Sequence, residues 1–170
     1  MKSLIDRQLM RRLGIIFASI SITVGVANVG LCGVSAKAKD NTTTQSIDTL
    51  KKSAERWIQI DLTKQKLIAW EGKTPVYAII ISTGKKSTPT RVGTFKIQTK
   101  LKSTRMRGRD YDVPNVPYAM FYQGNYGIHG AYWHRRFGTP VSHGCVNVAP
   151  NHAKWLFDWA SVGTAVFIHR

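Results

Sequence analysis

Acidic residues and cysteines are both scarce in this chain. Nine Asp and Glu stand against 25 Lys and Arg in 170 residues, for a net charge of +16. So basic a protein is drawn to anionic surfaces. The two cysteines, Cys32 and Cys145, are too few for a disulfide framework. No internal repeat and no second domain is visible, and the length is about that of one domain. Charge is missing altogether from Leu13 to Val34.

That uncharged run follows a positive head of Lys2, Arg7, Arg11 and Arg12, and ends at Ala36-Lys37-Ala38. Residues 1–38 therefore read as a secretory signal peptide. A retained N-terminal membrane anchor is the competing reading, because about 20 apolar residues span a bilayer. The Ser, Gly, Ala and Asn in the run lower its apolarity and favour the leader. Cys32 follows Leu31 rather than a small residue, which argues against lipid modification. Cleavage after Ala38 leaves residues 39–170 with a net charge of about +12 and Cys145 as the single thiol. An exported protein of the periplasm or cell wall meets wall polymers and lipid headgroups as its anionic partners, not nucleic acid. A lone thiol outside the cytosol is a liability unless it is used. The competing reading is an inert core cysteine.

Residues 39–56 are polar and predict a linker. From Trp57 the pattern is mainly β. Trp57–Leu62 and Lys66–Trp70 flank a turn at Thr63–Gln65. Val76–Ile81 suits a buried strand, Gly84–Arg91 a polar loop, and Thr94–Thr99 another strand. Residues 100–117, with Arg105, Arg107, Arg109, Pro114 and Pro117, predict a basic loop. Tyr118–Tyr122, Tyr126–His129 and Thr164–His169 complete the strands. Ala153, Leu156, Phe157 and Ala160 have helical spacing, with Pro150 before them and Gly163 after. Trp155 and Trp159 belong to the core of that helix. The expected fold is a closed or sandwiched sheet with one or two short helices.

The chemistry concentrates between His129 and Asn147. His129, His134, His143 and Cys145 are three of the five histidines and the one thiol left after cleavage. A thiol with a pKa near 8.5 is mostly protonated at neutral pH, and a neighbouring imidazole prepares it for attack. His143 lies two residues before Cys145, on the same face if the segment is extended. His129 ends a strand and reaches Cys145 from a neighbouring one. Gly144 leaves the backbone open, so that its N–H and that of Cys145 can face an oxyanion. No acidic side chain near in sequence orients the histidine, and a backbone carbonyl is the alternative. Zinc is the competing chemistry, although these spacings match no common zinc pattern. His134 reads as a rim residue, and His152 and His169 receive no role.

Ser142-His143-Gly144-Cys145-Val146-Asn147, preceded by Ile128-His129-Gly130, resembles the signature of the L,D-transpeptidase catalytic domain. Ser82-Thr83-Gly84, Thr88-Pro89-Thr90, Gly93-Thr94-Phe95, Pro117–Phe121 and Tyr132-Trp133 agree with it, so the resemblance covers about residues 57–168. It implies a β-sandwich with short helices, in a catalytic domain over residues 57–170. It implies attack on the bond between the third residue and terminal D-Ala of a peptidoglycan stem peptide, followed by 3→3 cross-linking or a protein–wall link. Cys145 is then the nucleophile and His129 the proton carrier, oriented by the Gly130 carbonyl. Gly144 and Cys145 supply oxyanion donors, and His143 and Asn147 shape the site. Tyr118, Tyr132, Trp133, Ser142 and Arg105 are the expected substrate contacts, Arg105 for stem-peptide carboxylates. The resemblance implies carbapenem sensitivity and no metal or other cofactor. A wall hydrolase with water as acceptor, a non-catalytic wall-binding module and a zinc hydrolase stay open on the residues alone.

Overall fold

Ile58 and Ile60 alternate with Trp57 and Gln59 along the first strand, so one face of it is apolar. That face sets the inner surface of the larger of two sheets. The structure, a computed structural model, describes Thr44 and residues 46–170. The expected leader or anchor lies outside the described residues. Among those described, no helix is long and apolar enough to cross a membrane.

The elements in chain order are α1 (46–52), β1 (Arg56–Asp61), β2 (Lys66–Glu71), β3 (Thr74–Ile80), β4 (Gly93–Lys96), β5 (Thr99–Arg107), β6 (Asp112–Gln123), β7 (Tyr126–Gly130), β8 (Val146–Val148), α2 (Pro150–Trp159) and β9 (Ala165–His169). One sheet has the order β3-β2-β1-β9-β4 and the other β5-β6-β7-β8. The fold is mainly β, as expected. Ile58, Ile60, Leu67, Ile79 and Val166 of the first sheet meet Met120, Tyr122, Ile128 and Val146 of the second in one core. Helix α2 adds Ala153, Leu156 and Trp159 to it. Trp155 is half-buried and stacks on Tyr77, with ring centroids 4.0 Å apart.

Three sequence expectations change. Residues 100–117 are not a loop: β5 and β6 pair as an antiparallel hairpin closed near Gly108–Tyr111. Prolines mark non-strand backbone because they donate nothing to a ladder. Here Pro114 and Pro117 fall in the part of β6 that pairs only with β5, and their other edge needs no donor. Left-handed backbone at Asn115 (φ 51°) and Tyr118 (φ 56°) bends this strand. The Thr94–Thr99 run is split at Ile97 and Gln98 between two sheets. The expected linker contains helix α1, with Ile47 and Leu50 half-buried and Lys51 set over the Trp70 ring, 4.9 Å from its centroid.

Two connections place the chemistry. Strand β7 runs parallel to β8, in a register that sets His129 opposite Asn147. The segment after β3 is stitched to the chain before and within β8. Ser82 and Asn147 exchange backbone hydrogen bonds of 2.9 and 2.7 Å, and the Thr83 carbonyl accepts from the N–H groups of Val141 and Ser142.

Candidate active site

Cys145 sits in a tight bend between Ser142 and β8, held by polar contacts from both sides. Ser142 Oγ donates to the Cys145 carbonyl at 2.5 Å and accepts from the Gly144 N–H at 3.1 Å. Thr90 Oγ1 donates to the Gly144 carbonyl and accepts from the Gly84 N–H, both at 2.9 Å. Thr88 Oγ1 donates to the Ser142 carbonyl at 3.0 Å, so both threonines of the Thr88–Thr90 segment fix the cysteine bend. Gly144 has φ +115°, and a Cβ there would lie 2.5 Å from the Tyr126 ring. No other residue type fits that backbone without strain.

His129 is 2% exposed. Its Nδ1 lies 3.0 Å from the Gly130 carbonyl. A carbonyl only accepts, so Nδ1 carries the proton and Nε2 keeps the lone pair. Burial, opposed in part by that hydrogen bond, lowers the His129 pKa to about 4. The imidazole is therefore neutral at physiological pH and available as a base. Gly130 is dictated by packing, because a Cβ would lie 2.7 Å from the Pro117 ring.

Cys145 is half-buried, and burial pushes its thiol pKa up, against the pull of the Gly127 N–H. The thiol donates to the Asn125 carbonyl at 3.5 Å. Thiol and imidazole are thus both neutral at rest. They line one cavity of about 300 Å³ without being hydrogen-bonded to each other. Hairpin β5–β6 contributes Met106, Tyr111 and Val113 to its wall. The segment after β7 contributes Trp133, His134 and Arg136, and the cysteine bend adds Val141, Ser142, His143 and Asn147. Trp133 is 41% exposed and stacks on His129 at 5.8 Å between centroids.

The expected site residues divide. Cys145, His129, His143, Asn147, Ser142 and Trp133 all line the cavity. Gly130 and Gly144 support it from behind. His143 is not on an extended segment, because residues 143–145 form bends. Its ring turns to the hairpin tip, with Nε2 3.0 Å from Asp110 Oδ2 and 3.3 Å from Lys85 Nζ, and Tyr111 packs against it. The hydrogen bond to His143 holds the Asp110 carboxyl below its usual range. Ser142 is buried, with its hydroxyl committed to the bend. Asn147 is buried, its amide 2.9 Å from His134 Nε2.

Three expected substrate contacts lie outside the cavity wall. Tyr118 packs against Phe157. Tyr132 is exposed and donates to the Pro114 carbonyl at 2.6 Å. Arg105 is exposed and bound in a fork by Asp112, at 2.7 and 2.6 Å. Sequence reasoning missed Met106, Tyr111, Val113 and Arg136. Their only signal was position, on a hairpin read as a loop or next to the expected rim histidine. Among the described residues, no three His, Cys, Asp or Glu side chains converge as metal ligands.

Comparison with known proteins agrees with this geometry. Residues 55–168 match the YkuD family model, the L,D-transpeptidase catalytic domain. L,D-transpeptidase 1 of Mycobacterium tuberculosis is 33% identical over 98 residues, covering 50% of this chain and 39% of that protein. The match thus spans about two fifths of that curated relative. The L,D-transpeptidase structure from Mycobacterium smegmatis superposes with TM-score 0.65 at 25% identity, covering 69% of this chain and 60% of that one. The catalytic domain from the E. faecium L,D-transpeptidase gives TM-score 0.62 at 28% identity, covering 69% of this chain and 98% of that domain. The chain belongs to the L,D-transpeptidase catalytic domain family.

Proposed function

We propose that this protein is an exported L,D-transpeptidase that acts on peptidoglycan stem peptides through a Cys145 acyl-enzyme. The observation that carries the reading is the parallel β7–β8 pairing. It brings a neutral, buried His129 and the half-buried Cys145 thiol to one cavity.

Substrate binding turns the thiol from the Asn125 carbonyl towards His129 Nε2. The sulfur attacks the carbonyl of the third stem residue, and His129 takes its proton. The Gly144 N–H is engaged by Ser142 Oγ, so the Cys145 N–H carries the developing oxyanion first. The C–N bond then breaks, and the proton passes from His129 to the amine of departing D-Ala. An acceptor amine attacks the thioester, His129 receives its proton, and sulfur leaves to regain it. The product is a 3→3 cross-link or a protein–wall link. His143 and Asn147 shape the site, and Trp133 covers His129. The mechanism draws on no metal or cofactor. The net positive charge suits anionic wall polymers, and residues 1–38 supply export to the periplasm or wall, as leader or anchor.

Intact mass after incubation with a carbapenem tests the nucleophile. A covalent adduct on the wild type that is lost in Cys145→Ala is expected. A folded, reduced protein that forms no adduct overturns the reading. Product analysis with and without an amine acceptor then separates transfer from hydrolysis, in which water takes the acyl group.

A further inference from the structure

Arg136 supplies the single permanent charge of the Cys145 cavity, and no aspartate or glutamate lines that wall. Its guanidinium enters no ion pair among the described residues, whereas Arg105 and Arg107 share Asp112 on the outer hairpin. Asp110, at the hairpin tip, is engaged by His143. The Arg136 backbone is pinned from both sides. Its carbonyl accepts from Ser82 Oγ at 2.7 Å, and its N–H donates to His134 Nδ1 at 3.2 Å. The charge is felt at the site: after burial, Arg136 is the second cause that lowers the His134 pKa. Arg136 itself is exposed at the edge of the wall, with its backbone fixed and its guanidinium in no ion pair among the described residues. An otherwise largely apolar cavity edged by such a guanidinium is complementary to one carboxylate, which Arg binds as a planar fork.

Transfer through a thioester crosses the same carbonyl carbon twice. The C–N bond to the leaving amine breaks in the first half, and the C–N bond to the acceptor forms in the second. The two halves run through equivalent transition states in opposite directions, so whatever holds the leaving residue also holds the acceptor. We propose that Arg136 binds the carboxylate adjacent to the reacting amine, first on the departing residue and then on the acceptor, and so selects acceptors that are α-amino acids. The inference rests on the transpeptidase reading above. Departure of the first residue vacates the fork. The thioester then faces an empty carboxylate site, and an amine that brings an α-carboxylate is aligned for attack.

The test uses the full chain with a stem tetrapeptide donor and isotope-labelled D-alanine or D-alaninamide as acceptor, read by mass spectrometry. The amide has the less basic amine, so more of it is unprotonated near neutral pH and intrinsic reactivity favours it. Preference for the acid therefore measures recognition. The wild type is expected to incorporate D-alanine about 10- to 100-fold faster than the amide, the range of a charge-assisted contact. Arg136→Gln should bring that ratio close to one, and Arg136→Lys should keep part of it. Equal incorporation of acid and amide by the wild type overturns the inference without any variant. So does a wild-type ratio in Arg136→Gln. A third arm amidates the side-chain carboxylate of the donor's third residue. If that change alone slows the wild type and spares Arg136→Gln, Arg136 serves the donor side chain and the proposal fails. A wild type that never releases D-Ala overturns the transpeptidase reading, and the inference with it.

Discussion

The five-stranded sheet slips in register once, at Ala69/Trp70, while the four-stranded sheet slips between Thr104 and Met106 and again between Phe121 and Gln123. The second sheet also holds Asn115 and Tyr118 at positive φ, within β6. His129, Asn147 and the hairpin wall of the cavity all belong to this irregular sheet. The core-facing positions of the regular sheet are mostly aliphatic. Bulges and left-handed residues aim side chains away from the regular pleat. The contrast separates a scaffold that sets stability from a sheet whose irregularity shapes a site.

The sharpest division should come from His129. Replacing it with Gln, which keeps much of the volume, is expected to lower turnover about 10²- to 10⁴-fold with the fold retained. D-Ala release and circular dichroism measure the two sides. Turnover within a few-fold of wild type would remove His129 from the chemistry. The counterpart lies in the regular sheet. Ile58→Ala empties a fully buried position and should cost about 2–5 kcal/mol in denaturant unfolding. Its kcat/KM per folded molecule should stay at the wild-type value. A large loss of activity there would mean that the two sheets are not separable.

Acid unfolding links the comparison to proton binding. Burial lowers the His129 pKa to about 4 from an ordinary 6.5. Between these values the unfolded chain binds a proton that the folded one refuses, so stability rises with pH across the window. The contribution is fully present above about 6.5, is lost as pH falls towards 4, and amounts to about 3 kcal/mol. His129→Gln should flatten that part of the stability–pH curve, and an unchanged slope would assign it to other groups. The smallest effect is expected on the outer hairpin. Asp112→Asn breaks an exposed, solvent-screened fork with Arg105 and should leave the denaturant midpoint almost unchanged. A several-fold rise in KM for the stem peptide would show instead that this pair holds the cavity wall in place.

Much of this was legible in the residues. Apolar alternation predicted β1, short strand-like runs predicted β2, β7 and β9, and the 3.6-residue spacing of Ala153, Leu156, Phe157 and Ala160 predicted α2. The motif around Cys145 carried the family. The β5–β6 hairpin was illegible because its prolines and arginines look like loop chemistry. Only its pairing with a single neighbour explains their tolerance. The partner of His143 was hidden for a related reason. Asp110 is 33 positions away and meets it only because the hairpin folds over the bend.

By itself, the sequence determined the mainly β character and the family, and it singled out the cysteine and histidine proposed to react, because these depend on local periodicity and on residue types within a short motif. The tertiary structure decided which groups are free to act. It turned Ser142 inward to hold the bend, tied Arg105 to Asp112 and left Arg136 unpaired at the cavity. Hydrogen-bond and charge satisfaction depend on what the fold brings within about 3 Å, and sequence separation does not report that distance.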